Sequence, residues 1–267
     1  MIKLSFMTYN ILNTIGDTFC GKAGTILDKI GKVDYSSCTQ SELGKKIGDY
    51  DILLIGLGLN VDKKVIDSAK KLKLIATATT GLDHINVDYA KAMGIEVLSL
   101  KGETEFLNTI TGTAELAFGL LLDLARNIYI SFESVKNYEW DRERFCGHNL
   151  SGKILGIIGY GRLGRMMARS AMAFGIEVLI FDPYVSNLEG GVKKIGFDEL
   201  LEKSDFVSIH VPLNEETKNM FDKNVFEKMK IGGYLINTSR GKIVNEKDLL
   251  RAFRSKRIAG YATDDLA

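Results

Sequence analysis

The 267-residue sequence predicts an α/β protein made of two parallel-sheet domains. Three observations lead there. Apolar runs of strand length alternate with helical patterns from end to end. Those runs are continuous rather than polar on every second residue, as strands covered on both faces require. The alternation breaks once, over residues 104–138, and then restarts.

The first strand runs are DILLIGLG (51–58), LKLIATAT (72–79) and IEVLSL (95–100). Between them lie the helical stretches VDKKVIDSAKK (61–71) and VDYAKAMG (87–94). Residues 104–138 carry no strand pattern and read as one or two long helices. A long apolar helix between two α/β units is either an interdomain spine or a subunit interface, and one helix can be both. A charged, irregular arm, DRERFCGHNLSG, follows Trp140. The second set of strand runs is KILGIIG (153–159), IEVLIFD (176–182), FVSIHVP (206–212), GYLINTS (233–239) and RIAGYAT (257–263). The expected domains are residues 1–102 and 103–267, with the helices of 104–138 belonging to the second.

Composition narrows the function classes. The chain is 45% hydrophobic and 26% charged, so it can bury a core and is not disordered. Its net charge is +1, with basic residues scattered among nearly as many acids, which argues against a nucleic-acid partner. Cys20, Cys38 and Cys146 are too far apart for a disulfide framework or a zinc site. Buried, reduced thiols in a cytoplasmic protein are expected. Ser5, Thr8 and Asn10 interrupt the N-terminal apolar stretch, which therefore does not read as a signal peptide. AELAFGLLLDLA is broken by Glu115 and Asp123 and is too short to cross a bilayer. No membrane and no metal are expected.

The most informative stretch is ILGIIGYGRLGRMMARSAMAFGIEVLIFDP. An apolar strand runs into Gly159-Tyr160-Gly161-Arg162-Leu163-Gly164, where a helix opens. Gly159 permits the tight turn, Gly161 lets backbone approach a pyrophosphate, and Gly164 lets helix and strand pack closely. The helix N-terminus offers N–H groups and positive dipole to phosphates. A second strand ends at Asp182, at the separation expected of a ribose-binding acid. A carboxylate there accepts from both ribose hydroxyls and repels a 2′-phosphate, so NAD is expected over NADP. LLIGLGLN contains a similar turn, Gly56-x-Gly58, but Val61 stands where a third glycine would be and no acid closes the unit. It reads as an ordinary strand-to-helix turn.

Several motifs in order resemble the D-isomer-specific 2-hydroxyacid dehydrogenases. TATTGLDHINVD is similar to that family's substrate loop, and TAELAFGLLLDLAR to its interdomain and dimer helix. LSGKILGIIGYGRLG is similar to its nucleotide fingerprint, and HVPLNEETKNMF and LINTSRGKIVNEKDLL to two further signatures. The resemblance covers essentially the whole chain. It implies a flavodoxin-like substrate domain, a Rossmann NAD-binding domain, a 2-hydroxy or 2-oxo acid substrate and a homodimer formed near residues 105–145. Thr80, Gly81 and Leu82 would offer backbone N–H groups to the substrate carboxylate. Arg162 and Leu163 would lie against the pyrophosphate, and His210, Val211 and Pro212 would line the adenine side with Thr217 nearby. Thr238, Ser239 and Asp264 would flank the nicotinamide end.

Arg240 would be the catalytic arginine, and its chemistry fits independently. It follows a buried strand at the carboxyl edge of the sheet, where ligands bind in such folds. A guanidinium can grip both oxygens of a 2-oxo acid and polarise its carbonyl toward hydride arrival at C2. None of the three histidines makes a good general acid–base, since His84 reads as structural, His148 as exposed and His210 as adenine-side. In the family the catalytic Glu and its His partner follow the position of Asp264. They would fall beyond Ala267, so the sequence reads as truncated and the chain itself as inactive. The alternative is a non-catalytic, NAD(H)-binding dimeric scaffold similar to the corepressors that share the fold. SLKGETEF (99–106) is expected to border the cleft, and a phosphorylated substrate would call for more cations there than Lys101.

Overall fold

The computed structural model of the chain describes residues 8–16, 21–141 and 143–266. The chain divides into two compact units, Met1–Leu107 and Asn108–Ala267. Each is a parallel sheet with helices on both faces.

The first unit runs β1 (Tyr9–Asn13), α1 (Lys22–Ile30), β2 (Gly31–Tyr35), α2 (Gln40–Lys46), β3 (Ile52–Leu54), α3 (Lys63–Ser68), β4 (Leu74–Ala76), α4 (Val87–Ala92) and β5 (Glu96–Leu98), with α5 (Thr104–Asn108) at its boundary. The sheet order is β2-β1-β3-β4-β5, the flavodoxin-like arrangement. Successive strand residues point to opposite faces, so one strand serves two cores. Leu12, Leu53 and Ile75 pack with Leu43 of α2, Ile66 of α3 and Ala90 of α4. Ile11, Ile52 and Leu54 meet Leu27 of α1 on the other face. Each such leucine or isoleucine contributes about 1.5–3 kcal/mol by leaving water. Three helices begin on side-chain caps: Thr39 in a capping box with Glu42, Asp62 for α3 and Asn86 for α4.

The second unit opens with α6 (Gly112–Arg126) and α7 (Ile128–Lys136). It continues β6 (Ile154–Ile158), α8 (Arg162–Ala173), β7 (Glu177–Phe181), β8 (Val192–Lys194), α9 (Phe197–Lys203), β9 (Phe206–Ile209), α10 (Lys223–Lys228), β10 (Gly233–Asn237), α11 (Glu246–Arg254) and β11 (Ile258–Thr263). The order β11-β10-β9-β6-β7-β8 is the doubly wound dinucleotide-fold order. Leu155, Ile157 and Ile236 pack with α6 and α8, while Ile158, Val207 and Leu235 face α9, α10 and α11. A Cβ on Gly156 would lie 2.4 Å from Leu200 Cδ2, so that glycine is what lets α9 sit directly on β6.

Two expectations are corrected here. Residues 104–138 form three helices, not one or two. The last break is at Asn127, whose φ of 55° is left-handed, a conformation asparagine tolerates better than most side chains. Asp123 Oδ1 then accepts from the Tyr129 N–H at 2.8 Å, helping α7 to start. The thiols are not buried: Cys38 is half-buried and Cys146, on the irregular arm, is exposed. Cys20 lies outside the described residues. The apolar α6 buries Ala117, Phe118, Leu121 and Ala125 on its own unit's sheet, so covering that sheet is its first role. Among the described residues no helix is long and apolar enough to cross a membrane.

Candidate functional site

In the second sheet the strand order reverses between β6 and β9, and ligands of such sheets bind outside the carboxyl ends at that point. Gly159 leaves β6 with φ of +91°, and its N–H donates to Phe181 O at 2.9 Å. A Cβ on it would meet His210 O at 2.6 Å. A Cβ on Gly164 would lie 2.2 Å from Gly159 O. Both are therefore held to glycine by close approach of backbone. A Cβ on Gly161 would meet no atom within 4 Å. Gly161 is the N-cap of α8, and no side chain caps that helix. Its first N–H groups and its positive dipole end are left for an anion.

Asp182, just past β7, reaches back to this turn. Its Oδ2 accepts from the Tyr160 N–H at 2.8 Å and its Oδ1 from the Tyr184 N–H at 2.9 Å. The acid expected to meet ribose thus also fixes the glycine turn. Each oxygen keeps lone-pair capacity for a hydroxyl donor. The Arg162 guanidinium donates to Ile110 O at 2.6 Å, and Leu163 is half-buried.

His210 follows β9 beside the same turn. Ser208 Oγ lies 2.9 Å from its Nε2, while its Nδ1 is out of solvent with no hydrogen-bond partner. Burial pushes the imidazole down to about 4, so it is neutral at physiological pH. Val211 is half-buried and Pro212 exposed. The Thr217 hydroxyl donates to Pro212 O at 2.6 Å, closing the loop between them.

At the end of β10, Thr238 is buried and its Oγ1 lacks a partner. The Ser239 hydroxyl donates to Ile209 O at 2.9 Å, tying this loop to β9. Arg240 is half-buried, and its guanidinium donates to Ser239 O at 2.8 Å. Asp264 is exposed, just past β11.

In the first unit the loop after β4 holds Thr80, Gly81 and Leu82. The Thr79 hydroxyl donates to Gly81 O at 2.7 Å and lies 3.0 Å from the Thr77 hydroxyl. The N–H groups of Thr80, Gly81 and Leu82 meet no acceptor among the described residues. Successive unpaired N–H groups suit an anion. His84 is buried and its carbonyl accepts from the Val61 N–H, a bracing role, whereas His148 is exposed.

Comparison with known proteins decides the family. The model of the D-isomer specific 2-hydroxyacid dehydrogenase NAD binding domain matches residues 118–267. The chain belongs to that family. It is similar to the D-3-phosphoglycerate dehydrogenase of Methanocaldococcus jannaschii, with 36% identity over 244 residues, covering 90% of this chain and 46% of that protein. It is also 36% identical over 225 residues to the hydroxypyruvate reductase of Thermotoga maritima, covering 84% of this chain and 72% of that one. Among solved structures it resembles the D-lactate dehydrogenase of Aquifex aeolicus complexed with NAD and lactic acid. There the TM-score is 0.86 at 27% identity, covering 96% of this chain and 77% of that one. The chain spans less than half the length of the D-3-phosphoglycerate dehydrogenases it matches.

Within this dehydrogenase fold, three site residues escaped the sequence. Asn237 donates from Nδ2 to Arg240 O at 2.9 Å and accepts the Ser239 N–H on Oδ1 at 3.0 Å, setting the backbone from which Arg240 projects. Asp265 Oδ2 accepts from the Gly241 N–H at 3.1 Å, bracing the same bend from β11. Asn214 Oδ1 takes the N–H groups of Glu216 and Thr217. The signal for Asn214 was present, since an asparagine just after proline-leucine is an Asx-turn former. Asp265 is a long-range contact that no local pattern encodes.

Proposed function

We propose that this chain is an NAD-dependent oxidoreductase that transfers a hydride between nicotinamide and C2 of a D-2-hydroxy acid or the matching 2-oxo acid. The observation that carries the reading is the uncapped helix N-terminus at Gly161, set at the sheet's switch point beside Asp182. The residues fit the dinucleotide: an open approach at Gly161, a carboxylate for ribose, and two buried polar atoms without partners, His210 Nδ1 and Thr238 Oγ1. Gly159, Gly161, Gly164, Arg162 and Leu163 would hold the pyrophosphate, and Asp182 the adenosine ribose. His210, Val211, Pro212 and Thr217 would line the adenine side, and Thr238, Ser239 and Asp264 the nicotinamide end.

When bound, NAD supplies the hydride acceptor. Thr80, Gly81 and Leu82 would hold the substrate carboxylate through backbone N–H groups. Arg240 would orient the substrate and polarise the oxygen on C2, stabilising charge as it develops there. The lowered pKa of His210 and its buried, unpartnered Nδ1 argue against it as the proton carrier.

The same reading makes the protein a cytoplasmic homodimer. α7 supports a self-association surface: Ile128, Tyr129, Phe132 and Val135 are exposed, and Tyr138 and Trp140 just beyond are 99% and 86% exposed. The test is NADH binding by nucleotide fluorescence, followed by a panel of 2-oxo acids at 340 nm. Binding with turnover is expected of the dehydrogenase. Binding without turnover of any acid favours the non-catalytic scaffold or an inactive fragment, and absence of NADH binding rejects every one of these readings.

A further inference from the structure

The loop after β7 begins with Asp182, yet residues 183–188 enter no backbone–backbone hydrogen bond among the described residues. Side chains hold the loop instead. Lys194 Nζ of β8 donates to Val185 O at 2.7 Å, and Arg165 Nη2 of α8 donates to Asn187 O at 2.9 Å. Glu189 closes the far end. Its two carboxylate oxygens accept from Arg169 Nε at 2.8 Å and from Arg169 Nη2 at 2.6 Å, the two-point geometry of a strong guanidinium pair. Arg165 Nη1 lies 3.8 Å from the same carboxylate. One acid on the loop therefore engages two arginines a turn apart on α8.

This clasp reaches the glycine turn through Tyr160. The Tyr160 ring is fully buried, and Val185 of the loop and Met172 of α8 pack on the same cluster. The Arg165 guanidinium stands over that ring, 4.5 Å from its centroid. The Tyr160 N–H donates to Asp182 Oδ2 and the Tyr184 N–H to Asp182 Oδ1. Two amides thus aim the Asp182 carboxylate, one on the glycine turn and one on the loop. Glu189 bears on both, on the loop directly and on Tyr160 through Arg165. Charge points the same way. Arg165 stands in the opening turn of α8, where the helix dipole disfavours a cation and no acid is present. Glu189 supplies the missing negative charge from the loop. Arg169 holds the Glu189 carboxyl below its ordinary range, so it is an anion at neutral pH.

We propose that Glu189 is a positioning residue for the dinucleotide. By clasping the loop after β7 onto α8 it fixes the aim of Asp182 at the adenosine ribose. It also keeps Arg165 and Arg169 engaged within the protein rather than with a 2′-phosphate. Glu189 thereby sets both the affinity for NAD(H) and the preference over NADP(H). The proposal rests on the reading that Asp182 meets the ribose.

The test titrates the chain with NADH, with NADPH and with ADP-ribose, which carries the adenosine half without nicotinamide. Glu189→Gln is expected to weaken NADH and ADP-ribose by the same factor, at least fivefold, and to narrow the preference for NADH over NADPH at least fivefold. Glu189→Asp keeps the carboxylate, and the exposed Arg169 can follow it, so both affinities should return to within twofold. Glu177→Gln removes another surface ion pair, the one with Lys193, and should change neither. Exposed ion pairs add little stability, so the melting temperatures should stay together. A merely structural role would leave the cofactor preference unmoved. An unchanged preference in Glu189→Gln overturns the proposal. So does Glu189→Asp binding as weakly as Glu189→Gln, or a loss confined to NADH with ADP-ribose bound as before. Asp182→Asn is measured beside them. If it leaves ADP-ribose affinity intact, the placement of the ribose fails and the proposal with it. If it weakens ADP-ribose while Glu189→Gln does not, only the role of Glu189 is rejected.

Discussion

Two strand-to-helix turns in this chain look alike in sequence and differ in what they leave unsatisfied. The turn after β3 contains Gly56 and Gly58, and the turn after β6 contains Gly159, Gly161 and Gly164. After β3 the helix begins on Asp62, whose side chain accepts the Val65 N–H at 3.0 Å. The fully buried Val61 bridges to Ile85 there. That turn supplies a side-chain acceptor to its own helix end. After β6 the helix begins on Gly161 with no side-chain cap, and the acid in the neighbourhood, Asp182, holds the turn's backbone at Tyr160 instead. A glycine pattern therefore leaves a helix end open to an anion only where no side chain caps the helix.

The sharpest way to break the second turn is Gly164→Ala. The new Cβ would lie 2.2 Å from Gly159 O, a backbone atom that cannot move aside cheaply. A loss of about 3 kcal/mol of stability is expected, at the upper end for overpacking, together with loss of NADH binding. Denaturant unfolding and fluorescence titration measure the two. A variant of wild-type stability would mean that α8 is free to shift off β6.

Acid should separate the two turns as well. His210 O sits against Gly159, and the half-buried imidazole, its Nδ1 out of solvent, is held down to about 4 against 6.5 in the unfolded chain. The unfolded state therefore takes up the proton first. The stability that a neutral His210 secures is full above about pH 6.5 and is lost as pH falls toward 4, by up to about 3 kcal/mol. Hydrogen exchange should show the turn after β6 opening before the turn after β3 across that window. His210→Gln should flatten the pH dependence, and an unaltered slope would assign it to another group.

How far the sequence revealed this follows from which signals are local. β6, α8, β7 and Asp182 form one continuous local pattern, and the structure builds them as that pattern predicts. β1, β2 and β8 did not stand out. β2 is GKVDY and β8 is VKK, both at sheet edges where one side is solvated and charge is tolerated, so neither has an apolar run. α6 was legible as a helix but not as a sheet cover, because periodicity gives an apolar face and not the surface it meets. Asp265 on Gly241 and Gln40 on Asn60 are pairings between distant segments, and a single sequence carries no sign of them.

The comparison can also be reversed by giving the second turn what the first one has. Gly161→Asp places a carboxylate where Asp62 stands on α3. The position has φ of −79° and space for a Cβ, so the substitution brings no backbone strain. An aspartate N-cap exceeds glycine by a few tenths of a kcal/mol, and the melting temperature should hold or rise slightly. NADH affinity should fall at least a hundredfold, about 2.7 kcal/mol, because the new carboxylate takes the N–H groups and repels the pyrophosphate. The counterpart is Asp62→Ala, which should cost about 1 kcal/mol of stability and leave NADH affinity unchanged. If Asp62→Ala weakened NADH, or Gly161→Asp left it intact, the uncapped helix end would not be what distinguishes the two turns. The opposite pairing, one variant stable without NADH and the other less stable with it, would show that capping and phosphate binding compete for the same N–H groups.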